Sequence, residues 1–375
     1  MIDRRLSVLL VGTAFTLIAT SAAAQDAPAT KTETKPADGE VVVTARYRNE
    51  TLQQVPIAIT ALEGGALAER QLNNLERIAA SIPSVGFRSG ASNKDRTVFI
   101  RGIGTITTSP GVEPSVSTVL DGVVLTRPGQ STLDLGEVER IEVLRGPQGT
   151  LFGKNASAGV VNIVTRNPTD EFHAFGEAGA TTDQEYRIKA GVSGAIVPGR
   201  VQALIGGLYS DFDGNLRNVV TGHDANGSRR YGARGKLVVT PFNTLKITAI
   251  GDYLNTRETV AGVYSSTRQI AYPTNVISDS AALATALAGQ GIVASPSNRQ
   301  LATDIDTNVR DENYGGSLTG ELTLGNYHVT SITAWRQWLN KQRQDYDGLA
   351  QLTAAFPRAR MTARSTAANS RRSFG

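Results

Sequence analysis

The chain of 375 residues contains no cysteine, which excludes a disulfide-stapled scaffold. Its three histidines, His173, His223 and His328, are too scattered to suggest a metal site. Beyond residue 24 there is no run of about 20 apolar residues, so no transmembrane helix is expected. No nucleophile stands with a base, and no catalytic grouping is legible. Asp121, Asp134, Glu137 and Glu139 could be taken as a carboxylate cluster, but they read more simply as turn and strand-end residues. Arg101-Gly102-Ile103-Gly104 lacks the third glycine and the following helical pattern of a phosphate loop. The formal charge of +4 is concentrated in residues 351–375, which hold Arg358, Arg360, Arg364, Arg371 and Arg372 and no acid. The remainder is near neutral, and nothing argues for a nucleic-acid partner.

What is present begins with an address. Arg4 and Arg5 precede an apolar stretch over residues 6–19, and Ala22, Ala23 and Ala24 supply a small-residue cleavage site. Residues 1–24 therefore read as a secretory signal peptide cut after Ala24. Residues 25–49 follow as a polar leader without pattern, interrupted by Glu40-Val41-Val42-Val43-Thr44-Ala45. A short β-prone run on a flexible tether suits strand addition to a partner's sheet edge. The other reading is the first strand of the next domain.

Residues 50–170 read as a compact mixed α/β domain: a strand from Pro56 to Thr60, a helix over 64–80, and strands at 98–102 and 117–125. The last of these is broken by a hairpin turn at Asp121-Gly122. Residues 138–167 then form strand, tight turn at Gly146-Pro147-Gln148-Gly149, small-residue loop and strand. From residue 171 the character changes. Tyr186, Ile188, Ala190 and Val192 alternate with Arg187, Lys189 and Ser193; Tyr231, Ala233, Leu237 and Val239 alternate with Arg234 and Lys236; a third segment follows at 245–253. Tight turns at 197–199, 241–243 and 325–326 alternate with long polar connections at 211–228 and 256–309. Segments of about 10 residues with this period and this loop pattern are the sequence form of transmembrane β-strands. A soluble β-sandwich shows the same alternation.

Together these residues resemble the TonB-dependent outer-membrane receptor family. The run Glu40 to Ala45 is similar to its TonB box. Val98 to Gly104, Thr118 to Val124 and residues 139–167 are similar to its plug motifs, and residues 171–345 to its first barrel strands. The resemblance implies an α+β plug domain followed by a partial antiparallel transmembrane β-barrel of the plugged, large-barrel class, in the outer membrane. It implies no enzymatic activity and no cofactor, but uptake of a scarce small-molecule ligand, foremost an iron-siderophore-type chelate, powered by the TonB protein and surrounded by outer-membrane lipid. Residues 40–45 would be the coupling handle. Arg101 and Arg145 with Glu137, Glu139 and Glu142 would form ion pairs between plug and wall. Gly102, Gly104, Gly122, Gly146, Pro147, Gly149, Gly153 and Gly159 would shape the plug backbone. Seven or eight strand candidates are too few to enclose a plug, and residues 346–375 read as an irregular basic tail, so a fragment is expected. The alternatives are a non-transporting plug-type binding module or a non-functional fragment and, more remotely, an exported β-sandwich hydrolase.

Overall fold

The structure is a computed structural model that describes residues 42–44, 50–70, 72, 74–88, 96–106, 112–127, 130, 138–259, 288–293, 297–345 and 360–374. The expected signal peptide, and the leader apart from residues 42–44, lie outside the described residues. A compact unit begins at Glu40.

Its first part is an α/β plug. The chain enters through β1 (Val42–Val43), which pairs antiparallel with β2 (Glu50–Thr51). Next come β3 (Ile59–Glu63), α1 (Gly64–Glu69), α2 (Leu75–Ser81), β4 (Val85–Arg88) and β5 (Thr97–Ile100). The hairpin β6 (Val116–Leu120) and β7 (Val123–Leu125) is followed by β8 (Val138–Arg145), α3 (Gly149–Phe152) and β9 (Gly159–Thr165). The central sheet runs β3-β8-β9-β6-β7, with β6 and β9 parallel. Apolar side chains line both of its faces. Ile141, Val143, Val161 and Ile163 pack with Leu67, Leu75 and Ile78 of the helices on one side. Leu144, Val160, Val119 and Phe152 pack on the other.

Three expectations need correction here. The strand expected from Pro56 begins only at Ile59, because proline offers no N–H to a ladder. The helix expected over 64–80 is two helices. The Leu72 N–H bonds back to Leu67 O, and Asn74, in extended conformation, caps α2 by accepting the Arg77 N–H at 2.8 Å. The small-residue loop contains the single helical turn α3.

The second part is a wall of long antiparallel strands: β10 (His173–Ala180), β11 (Glu185–Val197), β12 (Val201–Phe212), β15 (Gly227–Phe242), β16 (Leu245–Thr259), β18 (Asn308–Leu324), β19 (Tyr327–Asp345) and β20 (Arg360–Phe374). They form one eight-stranded sheet in that order. The short strands β13 (Leu216–Asn218), β14 (Asp224–Ala225) and β17 (Gln300–Leu301) make a separate small sheet in the long connections. β20 departs from the irregular tail expected for residues 346–375. Its Ala-, Arg- and Ser-rich sequence has no strand period, but ladder pairing with the edge of β19 uses main-chain groups that every such residue carries.

Exposure decides between the two β readings. In β11, Tyr186 and Ile188 are each 57 % exposed, and further along the same face Ile205 of β12 is 61 % and Trp335 of β19 47 %. On the opposite face Arg234, Lys236, Asp252, Asp311, Asn313, Arg336 and Asn340 are all buried. A water-soluble sandwich hides its apolar stripe and solvates its charges. This wall does the reverse, as a barrel with lipid outside and a filled lumen must. The sheet is an open partial barrel.

Candidate functional site

Two buried polar clusters organise the plug. The first centres on Glu142, set within Ile141-Glu142-Val143-Leu144 on β8 and 0 % exposed. A carboxylate buried among apolar side chains is destabilising unless its oxygens are fully hydrogen-bonded. Here they are. The Thr44 N–H donates to Oε1 at 2.8 Å, Arg140 Nε donates to the same oxygen at 2.7 Å, and Asn162 Nδ2 donates to Oε2 at 2.9 Å. Arg140 Nη2 also donates to Thr44 Oγ1 at 2.7 Å, and its Nη1 pairs with Glu139. Asn162 meets Glu142 because the two are register partners across β8 and β9. Thr44 meets it because β1, with Val43 1 % exposed, lies against the plug. The N-terminal strand is thus fastened through one residue to the middle of the plug sheet.

The second cluster joins plug to wall. Asp121 (φ 46°) and Gly122 (φ 79°) occupy the β6–β7 turn, both in the left-handed region a two-residue hairpin turn of this type requires. The Asp121 carboxylate accepts the Thr165 N–H at 2.9 Å and Oγ1–H at 2.8 Å, and pairs with Arg234 of β15. Lys236 Nζ lies 3.6 Å from it and donates to Thr165 O at 2.9 Å and Asn167 Oδ1 at 3.1 Å. Arg234 Nη1 donates onward to Asp252 Oδ2 at 3.2 Å, which also accepts from Arg336 Nη1 at 2.9 Å. Charges therefore alternate from plug turn to wall: Asp121, Arg234, Asp252, Arg336. Burial pushes the Asp121 carboxyl up, but Lys236, Arg234 and the Thr165 bonds outweigh it and hold it below the usual aspartate value. Beside the chain, Val123 packs on Ile332 and Ala334 of β19. A weaker plug–wall pair joins Arg96 to Glu258 at 3.7 Å.

The ion pairs expected between plug and wall are relocated. Glu139 and Glu142 pair with Arg140 inside the plug. Arg145 donates to Thr60 Oγ1 at 2.7 Å and Pro83 O at 3.4 Å, also inside the plug. Arg101 is exposed at a turn (φ 54°) beside Gly102 (φ 78°). The reason is register: Glu142 and Arg145 stand on a strand flanked by β3 and β9, out of reach of the wall. Glu137, Glu40, Val41 and Ala45 lie outside the described residues. Gly146 (φ 98°) and Gly153 (φ 81°) take left-handed conformations around Pro147, whereas Gly149 starts α3 with open space around it. A Cβ on Gly104 would meet the Phe99 ring at 2.3 Å, and one on Gly159 would meet Leu144 O at 2.4 Å. Arg140, Asn162, Asp252 and Arg336 were not singled out from the sequence. Arg234 and Lys236 stood only as the polar half of an alternating strand, which was the available signal for a cationic inner face.

In the long connections, Asp306 gathers Thr221 Oγ1–H at 2.6 Å, His223 Nδ1 at 2.6 Å and Asn218 Nδ2 at 3.4 Å. With the parallel pairing of β13 and β17, this ties the connection after β12 to the one after β16.

The TonB-dependent Receptor Plug Domain profile matches residues 51–160. The pesticin receptor of Yersinia pestis is 27 % identical over 191 residues, covering 51 % of this chain and 28 % of that protein. The vitamin B12 transporter BtuB of Vibrio vulnificus is 27 % identical over 48 % of this chain and 30 % of its own length. The chain thus spans less than a third of these relatives. Among solved structures, the ferric yersiniabactin uptake receptor FyuA of Yersinia pestis superposes with a TM-score of 0.63 at 22 % identity, over 77 % of this chain and 42 % of that one. The closed form of the ferric-catecholate import receptor Fiu of E. coli K12 gives 0.60 at 15 % identity, over 85 % and 43 %. Residues 51–160 are thus a TonB-dependent receptor plug domain by sequence, and the plug with its inverted-polarity wall has the fold of TonB-dependent outer-membrane receptors.

Proposed function

We propose that this chain is the plug and adjoining wall of an energy-coupled receptor that takes up an iron-siderophore-type chelate, with residues 40–45 as the handle captured by TonB. The observation that carries the reading is Thr44 bonded to buried Glu142. A pull on the N-terminal strand acts first on a few hydrogen bonds to a charged group, each worth about 1.5–3 kcal/mol net. Removing the plug from the wall would break the Asp121–Arg234–Asp252–Arg336 chain, where separating even one buried pair costs about 3–5 kcal/mol. The handle therefore yields while the wall anchor holds, as local opening in a sealed plug demands. The ligand class rests on relatives whose names speak of iron or siderophores, such as the ferric enterobactin receptor PirA of Pseudomonas aeruginosa.

The handle is tested by capture of the purified chain on immobilised TonB C-terminal domain. Val42→Pro removes a ladder donor and is expected to abolish capture. Undiminished capture by that variant defeats strand addition at this run. The ligand is tested by equilibrium binding of labelled ferric siderophores, haem and cobalamin. Binding of cobalamin alone defeats the iron assignment and leaves the coupling intact.

A further inference from the structure

The connections that follow β12 and β16 leave the wall on either side of the β15–β16 hairpin, and an antiparallel meander asks for no contact between them. They nevertheless meet in a parallel ladder, Arg217 opposite Gln300 and Asn218 opposite Leu301. The Arg217 N–H donates to Arg299 O at 2.8 Å and the Val219 N–H to Leu301 O at 2.9 Å. A ladder this short is weak by itself. One side chain completes it. Asn218 is 1 % exposed, and its Nδ2 donates to Thr303 O at 3.1 Å, Thr303 Oγ1 at 2.7 Å and Asp306 Oδ1 at 3.4 Å. Its Oδ1 accepts the N–H groups of Val220 at 3.1 Å and Thr303 at 3.3 Å. An amide offers two donors and two lone pairs, and all are used here. The main chain of Asn218 is engaged as well: its N–H donates to His223 O and its carbonyl accepts the Gly222 N–H, both at 2.9 Å. In the second connection Ile292, Leu301, Ala302 and Ile305 are buried. Asp306 is more exposed, and its carboxylate takes the Thr221 hydroxyl and faces the His223 ring.

We infer that the two connections are one pre-assembled platform at the external mouth, with Asn218 as the positioning residue that keys them together and Asp306 as the outer lock. Long connections lie on the external side of such barrels. If the two ordered independently, each would have to be immobilised whenever a ligand touched it, at a cost to affinity. Joined beforehand, they offer a contact surface that is already ordered. The joint is also mutual. Removing the Asn218 amide strands the Val220 N–H on one connection and the Thr303 N–H and carbonyl on the other, so both are released by one change. The inference rests on the external placement of the long connections and not on which ligand is taken up, so a failure of siderophore binding leaves it standing.

The chain has no cysteine, so nitroxide labels can be confined to Val220→Cys and Val293→Cys, exposed positions on the two connections. Double electron–electron resonance on the labelled full chain in detergent, with no ligand added, should give one narrow distance distribution. Asn218→Ala should broaden it. In the unlabelled chain the same change should accelerate hydrogen exchange about tenfold or more at the Val219 and Gln300 amides, one on each connection, while β15 and β16 exchange as before. Thr303→Val removes one acceptor, keeps the main-chain bonds and should give a smaller change of the same kind. Adding Arg217→Cys/Gln300→Cys to Asn218→Ala places a disulfide across facing ladder positions. Its oxidised form should restore slow exchange in both connections and its reduced form should not, a rescue that a merely local role of Asn218 would not allow. A broad distribution in the parent chain, acceleration confined to one connection, or no rescue by the oxidised bridge would each overturn the shared platform.

Discussion

Glu142→Gln is the sharpest probe of how the N-terminal strand is held. The substitution keeps shape and removes charge. Glu142 Oε1 accepts from Thr44 N–H and Arg140 Nε, and Oε2 accepts from Asn162 Nδ2. In the variant one oxygen becomes an amide NH2, which opposes either the Asn162 donor or the pair of donors from Thr44 and Arg140. Bonds to a charged group contribute about 1.5–3 kcal/mol and neutral ones about 0.5–1.5, so each retained bond weakens by about 1 kcal/mol. The misfaced donor adds an unsatisfied buried group at about 1–3 kcal/mol. If about 2 kcal/mol of this falls on β1, the Thr44 amide should exchange its hydrogen more than tenfold faster, at 1.4 kcal/mol per tenfold. Amides of β8 and β9 should change less, because their ladder is intact. Capture by the TonB domain should rise in parallel. Glu139→Gln is the control: its side chain is 40 % exposed and its pair with Arg140 is at the surface, so its effect should be small. An unchanged Thr44 exchange rate in Glu142→Gln refutes the claim that this carboxylate holds the strand.

Three further outcomes follow from the geometry. Arg234→Met strands Asp121 and Asp252 with fewer partners and should destabilise the plug–wall contact by about 3–5 kcal/mol in denaturant unfolding, whereas loss of under 1 kcal/mol would show the chain of charges to be dispensable. Ile205→Arg places a charge on the lipid side and should cost about 2–4 kcal/mol in bilayer refolding, with little effect if that face were solvated. Burial pushes the Asp306 carboxyl up, but hydrogen bonds from Thr221 and His223 and the imidazole itself outweigh it and hold it below the ordinary aspartate value. A folded value below the unfolded one gives stability that is full above the ordinary value and lost as pH falls through the lowered one. Exchange at the Val219 amide, which bonds to Leu301 O, should therefore accelerate on acidification, and Asp306→Asn should remove that pH dependence.

Much of the fold was legible because period and turn chemistry speak locally. Asp121-Gly122 announces a left-handed two-residue turn, and the Val138 and Val160 runs announce two strands of a buried sheet. What the sequence could not declare is face. Arg234 and Lys236 alternate with Leu237 and Val239 equally well in a sandwich and in a barrel, and only exposure says which set meets water. Charge partners were misassigned for a related reason. Glu142 and Arg145 look like a receptor's plug-to-wall charges when read along the chain. Their partners are fixed by cross-strand register, and a register between β8 and β9 brings Asn162, not the wall, to Glu142. The helix over 64–80 failed on a capping residue, Asn74, hidden inside a continuous apolar periodicity.

The two clusters also differ in what they leave behind when broken. Withdrawing Thr44 removes one N–H and one hydroxyl from Glu142, which keeps Arg140 and Asn162, so the buried charge stays compensated and the sheet retains its reason to hold together. Withdrawing Asp121 takes the anion from between Arg234 and Lys236, leaving two buried cations on one strand with Asp252 and the Thr165 and Asn167 oxygens as their hydrogen-bond partners among the described residues. The first break keeps the buried anion compensated, although Arg140 Nη2 loses its Thr44 acceptor, whereas the second takes the anion from between two buried cations. That asymmetry, more than the number of bonds at either site, is why force on the N-terminal strand is expected to open the plug from its handle inward while the β6–β7 turn remains on the wall.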